Sequence, residues 1–177
     1  MRNTRRVGAG FYLLLAGAIL ATSLIHEGAH WLAGTLLGHP MTFNLNSVSP
    51  TDAVSMRDVL IFTAAGPVVT VIQGIIAFIL VMRRDSLAAY AFLFFAALMR
   101  VTAAGISPFN PNDEARIGLE LGIGQWTLPV LVCGLLVTLT VLASRRLRIG
   151  WKTNVLTYLV CTVGISAIVG LDILLKG

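Results

Sequence analysis

The amino-acid sequence predicts an all-α integral membrane protein with about five transmembrane helices. Of its 177 residues, 56% are hydrophobic and 12% are charged, and the mean hydropathy is +0.86. A soluble domain of this size needs more charged residues to cover its surface, so the composition places the chain in a bilayer. The apolar residues also form separate segments, each with about the twenty residues that a bilayer core requires.

The apolar segments follow one another with short connections, and we expect them to form one membrane domain over residues 1–177. The segments cover residues 9–37, 58–82, 87–107, 125–143 and 153–175. The connections are a polar loop, a tight turn, an acidic loop and a basic turn, at residues 38–57, 83–85, 108–124 and 144–152.

The polar loop at 38–57 contains a pattern that is typical of β-strands. Thr, Asn and Ser alternate there with Phe43, Leu45 and Val48. Alternation with a period of two predicts a short β segment within residues 41–56. An ordinary extracytoplasmic loop fits the same residues, and the sequence leaves both interpretations open.

The basic residues predict the orientation in the membrane. If the five segments alternate in direction, the Lys and Arg residues of the loops divide unevenly between the two sides. One side has Arg2, Arg5, Arg6, Arg83, Arg84, Arg145, Arg146, Arg148 and Lys152, and the other has Arg57, Arg116 and Lys176. The positive-inside rule then predicts a cytoplasmic N-terminus and an extracytoplasmic C-terminus. We expect the membrane to be the plasma membrane. Because the charges lie in short loops beside the lipid bilayer and form no basic face, nucleic-acid binding is not expected.

Residues 26–30 read His-Glu-Gly-Ala-His and lie in the outer half of the first apolar segment. On a helix, this spacing places His26 and His30 on one face, so that both imidazoles can bind one metal ion. Glu27 is then placed to accept a proton from a metal-bound water. A chance match is the alternative, but polar groups in a bilayer core cost several kcal/mol unless a partner satisfies them. A metal ion would be that partner.

A third ligand is expected on the outer side, where the acidic loop at 108–124 lies. A catalytic zinc site usually has three protein ligands, and Asp113 is the leading candidate for the third. Glu114, Glu120 and His39 are rivals. The run 112–116 also resembles a helix start, so Asp113 could act in a helix cap, which does not exclude metal binding. Histidine and carboxylate ligands in this pattern favour Zn²⁺ among divalent metals.

Other polar residues have structural interpretations. Arg100, within the third segment, is expected to snorkel or to pair with an acidic group. Asp172 lies near the outer end of the last segment, where water is expected to reach it. His39 stands between Gly38 and Pro40, which predicts a solvent-facing turn.

A stripe of small residues in the second segment predicts close helix packing. Gly66, Thr70 and Gly74 recur at every fourth position, which allows another helix to approach. In the acidic loop, Asn110 precedes a proline, and it fits either substrate binding or ordinary turn chemistry.

Three of these motifs together resemble the site-2 protease family of intramembrane zinc metalloproteases. They are His-Glu-Gly-Ala-His at 26–30, Gly66-Pro67, and Asn-Pro-Asn-Asp at 110–113, and the resemblance covers roughly residues 20–120. It implies a three-helix catalytic core over about 9–120, with additional helices over about 125–175. It also implies that His26, His30 and Asp113 bind zinc, and that Glu27 activates water.

The implied activity is hydrolysis of a peptide bond within or beside a membrane-spanning protein or peptide. The chain departs from the family pattern at three positions. Gly28 lies one residue earlier than the glycine of many members, Thr70 stands where asparagine is common, and Glu114 stands where glycine is usual. The rival hypothesis is a non-proteolytic membrane protein with a metal site for structure, sensing or metal transport.

Overall fold

The structure is a computed structural model that describes residue 5 and residues 7–176. Within these residues most of the chain is helical, and the strands form one small antiparallel sheet. In chain order the elements are α1 (Ala9–Leu36), β1 (Met41–Asn44), β2 (Ser47–Pro50), α2 (Met56–Arg84), α3 (Leu87–Ile106), α4 (Asp113–Glu120), α5 (Thr127–Arg146) and α6 (Trp151–Lys176).

Five of these helices, α1, α2, α3, α5 and α6, are long and apolar enough to cross a membrane. The chain is therefore a multi-pass, all-α membrane protein, which confirms the predicted fold class. Each predicted segment agrees with one helix to within three residues at either end. Many of the exposed side chains are large and apolar, as expected of surfaces that face lipid.

The core of the bundle lies where α1, α2 and α3 pack against one another, with α5 on α2 and α3, and α6 mainly on α1. Large side chains fill the spaces between these helices without measurable exposure, and they include Leu15, Tyr90, Leu93, Phe95 and Leu136. The stripe of small residues on α2 packs against two helices, α1 and α5, rather than one. Gly66 faces the histidines of α1, whereas Gly74 lies against Leu136 of α5.

The turn between α2 and α3 is short because α2 ends, and α3 begins, at a well-defined cap residue. Asp85 adopts the left-handed conformation, with φ +49°, and ends α2. Ser86 then caps α3, since its hydroxyl accepts a hydrogen bond from the Ala89 amide at 3.2 Å. The predicted tight turn is present, but it consists of Asp85 and Ser86 rather than residues 83–85, because Arg83 and Arg84 still belong to α2.

The acidic loop between α3 and α5 contains the short helix α4. The Asn112 side chain caps this helix by accepting a hydrogen bond from the Ala115 amide at 2.9 Å. The Asn112 amide in turn donates to the Ser107 hydroxyl, at 3.2 Å, just after the end of α3. The helix start that the sequence suggested at 112–116 is therefore present, and it places Asp113 in the first turn of α4.

The polar loop after α1 forms a β-hairpin, in which Met41 pairs with Pro50 and Asn44 with Ser47. The β segment predicted within 41–56 is confirmed for residues 41–50. The hairpin and α4 lie at the same end of the bundle, which we call the hairpin end.

Two residues that were expected to face water are more enclosed than that: the expectation is wrong for Asp172, and His39 is only partly exposed. Asp172 is only 5% exposed, and its carboxylate accepts a hydrogen bond from the Asn46 amide of the hairpin at 3.2 Å. His39 is partly buried between Asp52 and Asp58, at 3.5 and 3.3 Å. The reason is that the chain folds back over the helix ends, which the hydropathy of the segments does not reveal.

Candidate metal centre

The side chains of His26, His30 and Asp113 meet at the hairpin end of the bundle. The two Nε2 atoms are 3.1 Å apart, and Asp113 Oδ2 lies 3.3 Å from His26 Nε2 and 3.5 Å from His30 Nε2. The two histidines lie one turn apart on α1, and the aspartate comes from α4. The three residues singled out from the sequence thus form one compact triangle of nitrogen and oxygen atoms.

Hydrogen bonds to α2 determine the direction of each imidazole. His30 Nδ1 donates to the Phe62 carbonyl at 2.8 Å. The Thr70 hydroxyl donates to the Gly66 carbonyl at 2.9 Å, and it therefore accepts from His26 Nδ1 at 3.0 Å. In the neutral imidazoles, this network assigns the proton to Nδ1 and leaves the lone pair of each Nε2 directed into the triangle.

The chemistry of the triangle fits a divalent cation. Two imidazole lone pairs and a carboxylate oxygen are all acceptors, so none can satisfy another, and a cation satisfies all three. Zinc bound tetrahedrally with bonds of about 2.0–2.1 Å has ligand atoms about 3.3–3.4 Å apart. The observed separations of 3.1, 3.3 and 3.5 Å span that value. The residues present therefore fit Zn²⁺.

Gly66 allows α2 to approach the two histidines. A Cβ atom at this position would collide with the imidazole rings of His30 and His26. The glycine of the Gly-Pro motif thus has a steric role at the centre itself, in addition to helix packing.

Asp113 lies at the N-terminal end of α4, where a negative charge is favourable. Burial alone would raise the pKa of its carboxyl group, but the imidazoles of His26 and His30, which hydrogen-bond it when they carry a proton on Nε2, hold that pKa well below its usual range. The carboxylate is therefore ionised at neutral pH, as a metal ligand must be.

Glu27 is 9% exposed and lines the same cavity as the three candidate ligands. Its carboxylate forms no side-chain hydrogen bond or ion pair with any residue in the described part of the chain. It is therefore free to interact with a molecule that enters the cavity.

The cavity beside the triangle has a volume of about 360 Å³, and its lining residues range along the chain from Ser23 to Val169. Asn110 and Asp113 are both in its wall. Among the residues that the structure describes, neither His39 nor Glu120 contributes to the cavity, and Glu114 is directed instead toward Arg100.

Asn46, Ser47 and Val48, which belong to the predicted β segment, line the cavity. Two other contributions to this site were not predicted. Thr70 and the Phe62 carbonyl orient the histidines. Arg100 is also in the cavity wall, and its position inside an apolar segment was the one sequence signal of its importance.

Comparisons with protein-family models, with curated proteins and with solved structures find no match to this chain. The functional argument therefore depends on the fold and the site alone. Together they define a multi-pass helical membrane protein in which two histidines and an aspartate, suited to a metal ion, border a partly enclosed cavity.

Proposed function

We propose that this protein is an intramembrane zinc endopeptidase of the site-2 protease type. Its substrate would be a peptide bond in or beside a membrane-spanning protein. The observation that carries the proposal is the triangle of His26, His30 and Asp113 at a cavity that Glu27 also lines. Structural zinc sites usually have four protein ligands, whereas catalytic sites leave one position open. Three ligands beside a cavity favour catalysis.

The residues have complementary roles in this reaction. Zn²⁺ bound by His26, His30 and Asp113 would lower the pKa of a water molecule and polarise the scissile carbonyl. Glu27 accepts the proton that the water loses as its oxygen attacks the carbonyl carbon. Glu27 then returns the proton to the amide nitrogen as the carbon–nitrogen bond breaks. Thr70 and the Phe62 carbonyl keep the imidazoles oriented throughout.

The hairpin offers a way to bind the substrate. A peptide bond in a helix is shielded, so the substrate must extend before cleavage. Asn46, Ser47 and Val48 lie in the cavity wall, and a strand can add to a sheet through main-chain hydrogen bonds. We propose that an extended segment of the substrate binds along this hairpin, near Asn110.

The position of the site also suggests where cleavage occurs. We place the protein in the plasma membrane, and the uneven distribution of basic residues supports a cytoplasmic N-terminus. The hairpin end would then be extracytoplasmic, and the substrate would be cut near the outer surface of the membrane.

The decisive variant is Glu27→Gln, which preserves the shape of the side chain but cannot accept the proton. We expect the purified variant to retain one zinc ion per chain and to cleave a membrane-spanning substrate about 10²- to 10⁴-fold more slowly. Glu120→Gln is the matched control, since Glu120 is an exposed glutamate outside the cavity. Cleavage by Glu27→Gln at the wild-type rate would disprove the mechanism.

Metal analysis tests whether the site binds a metal, and a proteolysis assay in membranes separates this proposal from the rival, a non-proteolytic protein with a structural, sensing or transport site. His26→Ala and Asp113→Ala should both lose zinc. Zinc in the wild type without proteolysis of any membrane-spanning substrate tested would support the rival. Absence of stoichiometric metal from the wild type would contradict both hypotheses.

A further inference from the structure

Two buried, oppositely charged side chains lie beside the candidate metal centre. Arg100 of α3 is 4% exposed, and Glu114 of α4 is 2% exposed. Arg100 Nη1 donates to both oxygens of Glu114, at 3.2 and 3.3 Å. Charges buried at membrane depth are costly unless they are paired, and here each provides the partner of the other.

The same guanidinium also contacts the triangle. Arg100 Nη1 lies 3.5 Å from Asp113 Oδ2, which is the oxygen nearest the histidines. Arg100 Nη2 lies 3.5 Å from His26 Nε2. The ion pair is therefore close enough to control how the ligand atoms are arranged.

The ion pair between Arg100 and Glu114 gives two adjacent carboxylates different roles. Asp113 and Glu114 are neighbours in the first turn of α4, and either could in principle bind a cation. Arg100 contacts both oxygens of Glu114 but makes only one longer contact with Asp113. Glu114 is thereby neutralised and directed away from the histidines, while Asp113 remains available to the metal.

The pair also connects α4 to the rest of the bundle. A helix of eight residues is too short to be stable alone, so the position of Asp113 depends on what holds α4 in place. Within the described residues, every side-chain hydrogen bond between α3 and α4 comes from Arg100. Asn112 caps the helix locally but does not connect it to α3 by its side chain.

We propose that Arg100 and Glu114 are positioning residues, whose ion pair selects the Asp113 carboxylate as the third metal ligand and holds it beside His26 and His30. This proposal rests on the proposed metal centre. It also gives a role to Glu114, one of the positions at which the chain departs from the site-2 protease pattern.

The test measures metal binding by the purified full-length chain in detergent. Zn²⁺ affinity is determined by competition with a chelator, and Co²⁺ is substituted because its visible spectrum reports the ligand set. We expect Glu114→Gln to bind Zn²⁺ about 10- to 100-fold more weakly, with a changed Co²⁺ spectrum. Glu120 is an exposed glutamate on the same helix, and Glu120→Gln should match the wild type in both measurements.

A double variant keeps the test informative if a single variant fails to fold. Arg100→Met alone leaves an unpaired buried carboxylate, whereas Arg100→Met with Glu114→Met replaces the pair by apolar side chains that a bundle usually tolerates. We expect the folded double variant to show the same loss of Zn²⁺ affinity as Glu114→Gln. Arg100→Lys should bind Zn²⁺ more tightly than Arg100→Met.

The outcomes separate the two proposals. If Glu114→Gln and the double variant bind Zn²⁺ with wild-type affinity and Co²⁺ with the wild-type spectrum, the positioning role is wrong and the metal centre stands. If the wild type binds no Zn²⁺, the metal centre fails and the positioning role fails with it.

Discussion

At the scale of single residues, the orientation of the imidazoles depends on partners in α2. Thr70→Val removes the hydroxyl that accepts the hydrogen bond from His26 Nδ1, at almost constant side-chain volume. Such partners typically contribute 10- to 100-fold to metal affinity, and we expect a Zn²⁺ affinity that is lower by about that factor. A chelator-competition titration measures it. The control is Thr140→Val, whose hydroxyl bonds only the Leu136 carbonyl of its own helix. Equal affinities for the two variants would contradict the assigned role.

Gly66 gives a second prediction at this scale. In Gly66→Ala, the new methyl group would meet the rings of His30 and His26, so the histidines or α2 must move. Overpacking of this kind typically costs about 1–3 kcal/mol, and here we expect it to weaken Zn²⁺ binding as well.

The matched control is Gly17→Ala on α1, where an added Cβ meets nothing within 4 Å. It should leave Zn²⁺ affinity unchanged and stabilise the helix by up to about 1 kcal/mol. Thermal unfolding and Zn²⁺ titration of both variants test this pair. Wild-type affinity in Gly66→Ala would show that the close approach of α2 is unimportant for binding.

Sequence could predict the candidate ligands but not their surroundings. Any helix places residues with the spacing of His26 and His30 on one face. Asp113 could be chosen because the predicted topology puts its loop on the same side of the membrane as the histidines. The partners Thr70 and Phe62 depend on how α2 is rotated against α1, which no local pattern encodes. Arg100 was expected to snorkel or to pair with an acidic group, but Glu114 is one of several acids nearby and only the packed structure selects it.

At the scale of elements, the hairpin is attached to the last helix. Asp172 accepts a hydrogen bond from the Asn46 amide at 3.2 Å, and Lys176 donates to Asp172 at 2.6 Å and to Ser47 at 2.8 Å. Since Asn46 and Ser47 line the cavity, α6 helps to determine where the cavity wall lies.

We expect Asp172→Ala to release the hairpin turn. Loss of this hydrogen bond should destabilise the turn by about 0.5–3 kcal/mol and speed hydrogen exchange of residues 41–50 accordingly. Asp172→Asn, which keeps an oxygen acceptor for Asn46, should show a smaller effect. Asp85→Ala lies in the opposite turn and should leave this exchange unchanged. Exchange mass spectrometry gives the comparison, and identical rates in the hairpin for all four proteins would show that the contact with α6 does not stabilise it.

The elements differ in how readily their sequences reveal them. Long apolar runs determine the five spanning helices, because a bilayer requires helices of that length. Alternation predicted the strands, although the hairpin ends at Pro50 rather than near Met56. Helix α4 gave only a capping signal at Asn112, since eight residues are too few for a clear apolar period.

At the scale of the whole molecule, the two ends of the bundle differ in charge and in chemistry. The hairpin, α4 and the cavity lie at one end, and the turn between α2 and α3 lies at the other. The basic residues concentrate at the second end, where Arg146 pairs with Asp85 at 2.9 Å. The uneven charge thus predicts that the candidate metal centre opens toward the extracytoplasmic side.

Cysteine labelling tests this orientation. In a background with Cys133→Ala and Cys161→Ala, single cysteines replace Ser49 in the hairpin and Arg84 at the end of α2, both of which are exposed. Because Lys and Arg resist transfer across the membrane, we expect an impermeant maleimide to label Ser49→Cys in intact cells. Arg84→Cys should react only after permeabilisation. The reverse pattern would place the candidate metal centre near the cytoplasmic surface, and the substrate segment that reaches Glu27 would then have to come from the cytoplasmic side of the membrane.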